Sequence, residues 1–311
     1  MSNIEKIQKL LKDKADLQAK IKVSSFDGSV EIKTISGEKY IYVRKRVAGK
    51  YKSTYIDKFS EELYAMAVNQ ALHIREAKKE LRHIEKELAT LGYEESELTA
   101  RVRLNIDFAR ANIKNLIYDQ AVLEGVGTTF PQTETILENG TVMGVKASDV
   151  QKILNLKHAW EFILDPDVTA SRSDFYLLSH IARLVNEGFY DNGGAVRAVP
   201  VTIGGSAFVP PIPSEIDIKE RIGSLAQLEM EKLDVAVEIA LYCIKTQIFL
   251  DGNKRASIIF ANHFIIQHGL GLLVVPENLV PKFKELLVSY YEGRNEDAIK
   301  KFLKEKCWRQ F

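Results

Sequence analysis

The sequence predicts a mainly α-helical protein of two domains, the first carrying a small β insertion. Apolar residues recur at three- and four-residue spacing through most of the chain, for example Ile74, Ala77, Leu81, Ile84, Leu88 and Leu91, and again Leu233, Val237, Ala240, Leu241, Ile244 and Ile248. That is the spacing of a buried helix face. Strict alternation is confined to residues 30–33, 40–44, 51–56 and 199–205, each bounded by turn residues such as Ser36-Gly37, Ala48-Gly49 or Pro210-Pro211, which reads as short strands and hairpins. The length of 311 residues, 46% hydrophobic and 27% charged, gives room for about two domains. Gly92 ends the long second helix as a C-cap, so the boundary is placed there, giving domains of 1–93 and 94–311.

In chain order, residues 3–22 predict a charged helix with Ile7, Leu10, Leu17 and Ile21 at heptad spacing, interrupted by Lys14. Its partner is the helix over about 58–91, making an antiparallel coiled coil that also offers a homodimer surface. Between them lies a β-meander or hairpin that is locally basic. Lys39, Arg44, Lys45, Arg46, Lys50, Lys52 and Lys58 interleave with Tyr40, Tyr42, Tyr51 and Tyr55, and Asp57 is the only acid in that span. Cations beside aromatic faces suit nucleic acid or a protein partner, while lysines on a strand edge also serve simply to prevent aggregation. A helix is predicted over 95–118, then core helices over 147–164 and 173–186, the second capped by Ser171 or Ser173. A hairpin over 199–205 and a polar helix over 214–229 follow. Two helices flank the break at 251–253, the second being the apolar run 256–266. An extended segment at 272–275 and helices over 279–291 and 295–308 end the chain, with Trp308 and Phe311 docked on the core.

The break Asp251-Gly252-Asn253 sits between two core helices and has the makings of an anion site. A helix start presents unpaired backbone N–H groups and a positive dipole end, and Gly252 lets a phosphate approach without a Cβ in the way. Asn253 can donate from its side chain, and Lys254 and Arg255 supply charge, one compact and one forked. Asp251 suits Mg²⁺, which takes one or two carboxylates plus substrate phosphates. These parts fit a nucleoside triphosphate and its metal, although a plain helix-capping turn with solvated cations has the same spacing.

Composition narrows the classes. Lys plus Arg number 43 against 42 Asp plus Glu, so no global charge points to nucleic acid or membrane. Cys243 and Cys307 are the only cysteines, which suits buried thiols in a reducing compartment and excludes a disulfide framework. Residues 1–6 mix charges where a signal peptide needs an apolar core, and the apolar stretch 256–275 contains Asn262, His263, Gln267 and His268. The expectation is a cytoplasmic protein with no membrane span.

The stretch Gln247-Ile248-Phe249-Leu250-Asp251-Gly252-Asn253-Lys254-Arg255 resembles the signature of the Fic/Doc (Fido) family, His-x-Phe-x-(Asp/Glu)-(Gly/Ala)-Asn-(Gly/Lys)-Arg, with Phe249 and 251–255 in register. The resemblance implies a helical core whose loop binds ATP and Mg²⁺ through Phe249, Gly252, Asn253, Lys254 and Arg255, with Asp251 on the metal. It implies AMP transfer to a Ser, Thr or Tyr hydroxyl of a target protein. In the Doc branch, whose loop also ends Asn-Lys-Arg, a phosphoryl group moves instead. Gln247 stands at the position of the family's catalytic His, with Asn253 and Arg255 completing the catalytic set. A neutral amide takes no proton, and general-base help is worth roughly 10²–10⁴ in rate, so transfer is expected to be impaired. A non-catalytic binding module is the remaining alternative.

Two further segments carry the resemblance. Within 117–127, Glu124-Gly125 resembles the inhibitory motif (Ser/Thr)-x-x-x-Glu-(Gly/Asn), with Gln120 at the hydroxyl position. The family's second signature Arg, partner of that Glu, would fall at Ile258, leaving Lys254 or Arg255 for Glu124. Gly194 and Arg197 ahead of Val201, Thr202 and Ile203 resemble the Gly-x-x-Arg and hairpin flap that hold a target strand by backbone pairing.

Overall fold

The computed structural model describes residues 3–47, 50–93 and 98–311. The chain divides into two compact units, Met1–Glu95 and Ser96–Phe311. The expected turn at Ala48-Gly49 and the expected domain and helix starts at 94 and 95 lie outside the described residues.

The first unit is α1 (Asn3–Val23), β1 (Ser29–Ile35), β2 (Glu38–Val47), β3 (Lys50–Lys58) and α2 (Glu61–Thr90). The strands form an antiparallel meander in the order β1-β2-β3, longer than the alternation alone predicts. Ser60 caps α2, its hydroxyl accepting from the Leu63 amide, a Ser cap with Glu61 and Glu62 in the first turn as the dipole favours. The buried positions of α2 are Ala67, Ile74, Ala77, Ile84 and Leu88, a face read correctly from its spacing. On α1 the deepest residues are Ala15 and Ala19, while Leu10, Leu17 and Ile21 are only half-buried. Small residues let two helices approach closely, and a seam sought through Leu and Ile alone misses them.

The second unit is helical. It comprises α3 (Ala100–Ala111), α4 (Ile113–Leu123), α5 (Phe130–Leu137), α6 (Ala147–Ile163), α7 (Pro166–Thr169), α8 (Phe175–Val185), α9 (Glu215–Ala226), α10 (Lys232–Thr246), α11 (Asn253–Gln267), α12 (Val280–Tyr291) and α13 (Glu296–Phe302). The single helix expected over 95–118 is two, broken at Asn112, whose side chain bonds back to the Phe108 carbonyl at 2.8 Å. Asparagine competes in this way with the helix ladder. The cap of α8 is Asp174, accepting from the Leu177 amide at 2.9 Å, because Ser173 is engaged with His263. Helix α11 is the axis of the core: Ala256, Ile259, Phe260, Ala261, Ile265 and Ile266 are fully enclosed, and α8 and α10 pack on it.

Two short strands, β4 (Leu272–Leu273) and β5 (Trp308–Arg309), pair antiparallel. The last helix expected to reach 308 stops at Phe302, passes through a π turn over Leu303–Cys307, and becomes that strand. Trp308 Nε1 then bonds the Leu270 carbonyl at 2.7 Å, and Phe311 meets the Phe108 ring.

The hairpin expected over 199–205 is not formed. Residues 196–214 contain no strand ladder, only irregular chain with one turn, closed by the Ser206 amide on the Ile203 carbonyl at 3.2 Å. Four prolines, Pro200, Pro210, Pro211 and Pro213, remove the amides a ladder needs. The carbonyls of Val199, Pro210 and Pro211 instead converge on one side chain, Arg197.

Candidate functional site

Helix α10 ends at Thr246 and α11 starts at Asn253, so the site is built on the six-residue corner 247–252 between two core helices. Gln247 turns the chain through the left-handed region at φ 49°, uncommon for a residue with a side chain. Its amide Nε2 caps its own helix on the Ile244 carbonyl at 2.8 Å. Ile248 and Phe249 are fully buried and anchor the corner. Asn253 then clamps it: Oδ1 accepts from the Phe249 amide at 2.9 Å, and Nδ2 donates to the Phe249 carbonyl at 2.8 Å and to Gln247 Oε1 at 3.3 Å. Both protons of that amide group are therefore engaged within the turn, and the donation to a ligand expected of Asn253 would require releasing one.

Gly252 has φ 72°, and a Cβ there would lie 2.8 Å from Asn186 Oδ1 and 3.1 Å from Val185 Cγ2. The glycine is required both by its backbone and by the close approach of the end of α8. Asn186 is fully buried and ties the corner to the 193 loop, donating to the carbonyls of Asp251 at 2.9 Å and Gly193 at 3.0 Å. The N-terminus of α11 has no side-chain cap, which leaves the first-turn amides and the dipole facing outward from the corner.

Arg255 is only 2% exposed. Its Nη1 donates to the Val185 carbonyl at 2.8 Å, and its Nη2 reaches Asp251 Oδ2 at 3.1 Å and Asn186 Oδ1 at 3.4 Å. The fork that the sequence suggested for bidentate grip is turned onto the protein. Its remaining donor, Nε, has no hydrogen-bond partner and lies 3.8 Å from Glu124 Oε2. Glu124 Oε1 is likewise without a hydrogen bond and lies 3.5 Å from Lys254 Nζ. One carboxylate thus faces the two cations of the signature at ion-pair distance without bonding either. It also lies near the buried Tyr291, whose phenol is pushed up by burial and further by the Glu124 charge.

Gln120, one turn before Glu124, was legible only as a mismatch. It donates to the Arg255 carbonyl at 2.9 Å and accepts from Trp160 Nε1 at 2.9 Å, joining α4, α6 and α11. Ile258 is buried in the core and brings no charge to the corner. Arg197 is also buried, and burial pushes its pKa down. It bonds the Gln247 carbonyl through Nε at 2.5 Å and the Val199, Pro211 and Pro210 carbonyls at 2.7, 2.6 and 3.3 Å. It therefore ties the corner to the segment holding Val201, Thr202 and Ile203. The far turn of that segment is held by Glu292 Oε1, which accepts from the Ala207 amide at 3.3 Å and the Ser206 hydroxyl at 3.4 Å. Two of these anchors, Asn186 and Glu292, carry no recognisable sequence signal. His263 is buried, with Nδ1 on Ser173 at 2.8 Å and Nε2 on the Val168 carbonyl at 2.7 Å, a core histidine away from the corner. Among the described residues no group of three or more His, Cys, Asp or Glu is arranged to hold a metal.

Residues 174–265 match the model of the Fic/DOC family. That stretch is similar to Fic domains and contains the whole corner. The chain is 25% identical over 220 residues to the protein adenylyltransferase Fic of Drosophila willistoni, a match covering 67% of this chain and 44% of that protein. The chain therefore spans less than half the length of that curated relative. The fold is similar to Fic-1 from C. elegans, with a TM-score of 0.52 at 16% identity, covering 79% of this chain and 73% of that one. It is also similar to a Fic domain containing signaling protein from Bacteroides thetaiotaomicron, with a TM-score of 0.53 at 16% identity over 64% and 82% of the two chains. At these identities the structures establish a shared Fic-like fold. No helix among the described residues is long and apolar enough to cross a membrane.

Proposed function

We propose that the Fic domain binds ATP at the corner 247–255 and descends from enzymes that move AMP to a protein hydroxyl, with transfer impaired at Gln247. The observation that carries the nucleotide reading is the meeting of an uncapped start of α11 with Lys254 and the Nε edge of Arg255, an edge faced by the Glu124 carboxylate at ion-pair distance while Asp251 pairs with the far side of the guanidinium. A site where an anion already sits unbonded between two cations suits a phosphate that would bond them.

Residues take their parts from this geometry. The amides after Gly252 would cradle phosphate oxygens, Lys254 would neutralise charge developing in transfer, and Arg255, fixed by Val185 and Asn186, would hold Asp251 in place. Asp251 keeps a half-exposed carboxylate, which fits a magnesium ion shared with the donor's phosphates. Such an ion would supply further neutralisation of phosphate charge. Phe249 would act from inside, as the apolar anchor of the turn. Glu124 would be inhibitory, occupying the cations until a nucleotide displaces it. Val201, Thr202 and Ile203 would present the target segment beside Gln247, whose amide can orient a hydroxyl but not deprotonate it.

A phosphoryl-transfer variant of the same reading is favoured by Lys254, as in the Doc branch. The test is Gln247→His protein incubated with ATP and magnesium in a cell lysate, with adducts read by mass spectrometry. AMP-sized adducts support the reading, phosphate-sized ones select the variant, and the absence of saturable ATP binding by calorimetry overturns both in favour of a non-catalytic binding module.

A further inference from the structure

The outer face of the β-meander gathers features that the Fic domain does not use. In an antiparallel sheet every second residue shares a face, and the register places Tyr40 and Tyr42 of β2 with Tyr51 and Tyr55 of β3 on one side. Ile41 and Val43 are buried on the other. The ring centroids of Tyr55 and Tyr40 are 6.1 Å apart, and those of Tyr55 and Tyr42 are 5.7 Å apart. Tyr51 and Tyr55 are 65% and 52% exposed. Aromatic rings are seldom left so open in a row without a partner.

Cations flank the row on the same face. Arg44 lies 4.1 Å over the Tyr51 ring and Lys33 lies 4.5 Å over Tyr42, while Arg46 pairs in register with Tyr51 and Lys58 with Tyr40. Residues 29–58 contain eight Lys or Arg against Glu31, Glu38 and Asp57, in a chain that is nearly balanced as a whole at 43 against 42. Glu31 lies 3.1 Å from Lys33 and 4.0 Å from Arg44, and Glu38 pairs with Lys58. These are exposed pairs of small net worth, open to exchange for stronger anions.

We propose that this face binds single-stranded nucleic acid, with unpaired bases stacked on the tyrosines and backbone phosphates held by Lys33, Arg44, Arg46 and Lys58. Stacking platforms interleaved with cations are the general means of holding a single strand. A duplex has no open base faces for the rings, and an acidic peptide would use the cations and leave the rings without a role.

The test uses the full chain and a fluorescein-labelled twelve-nucleotide pyrimidine strand, as DNA and as RNA, with fluorescence anisotropy as the readout. Saturable binding is expected, weakened about tenfold or more by Tyr51→Ala combined with Tyr55→Ala and retained by the two Tyr→Phe changes. Arg44→Glu with Arg46→Glu should weaken binding and flatten the salt dependence by about 0.7 in log–log slope for each phosphate no longer held. Circular dichroism of each variant separates lost binding from lost fold, and Tyr51→Leu with Tyr55→Leu, which keeps apolar bulk but removes the stacking face, decides the matter if the alanine variants unfold. Equal or tighter binding of the matching duplex, an unchanged affinity in folded Tyr→Ala protein, or binding of a polyglutamate peptide in place of the strand would overturn the proposal.

Discussion

Replacing Arg197 by Met should cost about 3 kcal/mol of folding stability and loosen the segment that follows it. The guanidinium donates to four carbonyls, and a hydrogen bond involving a charged group contributes roughly 1.5–3 kcal/mol. The sum of four such terms overstates the effect. The oxygens of Val199 and Pro211 belong to exposed residues and can turn to water in the variant, whereas that of Pro210 is buried and that of Gln247 half-buried. Two stranded acceptors at roughly 1–3 kcal/mol each give about 2–6. The variant also no longer buries a guanidinium, which returns part of that loss, and methionine keeps most of the stem's volume. Urea denaturation with an unchanged m-value reads the difference directly. Hydrogen exchange should quicken over 198–213 while α8 and α11 stay protected. A loss under about 1 kcal/mol, with exchange over 198–213 unaltered, would refute the idea that Arg197 organises this segment.

Other outcomes follow from the same geometry. Glu124→Ala should tighten ATP binding by about 5–150-fold, the usual range of a coupling between two occupants of linked sites; an unchanged calorimetric affinity would remove the inhibitory role. Gly252→Ala should cost about 1–3 kcal/mol, because its positive φ and the approach of Asn186 both oppose a Cβ, and a thermal shift within error of the parent would contradict this. Glu292 titrates below its ordinary 4.5, lowered chiefly by the Ala207 amide and then by Arg294. Its support of the 204–208 turn is therefore complete above 4.5 and is lost as pH falls through the lowered value. Exchange there should rise on acidification, and Glu292→Gln should flatten that dependence.

The helical frame was legible because its evidence is in the apolar pattern: α2 and α10 bury most of the face their spacing marks, and α11, apolar almost throughout, is buried on all sides. The corner was legible because Gly252 and its neighbours form a dense pattern over nine residues. The 199–205 segment misled for a definable reason. Alternation records which side chains can share a face, but a strand also needs a partner with free amides, and Arg197 had already drawn the carbonyls together from a distance no local window includes. Asn186 was invisible for a related reason. Its side chain joins Gly193 to Asp251, bonds made across loops, and an asparagine after a helix gives no hint of that reach.

Gln120 and Ile258 show how two departures from a pattern can be one adjustment. With Ile258 in the core, the carboxylate of Glu124 has no second arginine to meet, and it sits unbonded at 3.5 and 3.8 Å from Lys254 and Arg255. An approach of that kind cannot by itself hold α4 in register on α11. Gln120 supplies the register instead, through two buried neutral hydrogen bonds that reach the Arg255 carbonyl and Trp160. A serine or threonine hydroxyl, two atoms shorter than the glutamine amide, would not span the same gap from the same helix position. The neutral pair keeps the helices together at any salt concentration, since buried hydrogen bonds are little screened. On the proposed nucleotide reading, the carboxylate one turn away would yield its place to a phosphate without disturbing the packing beneath it.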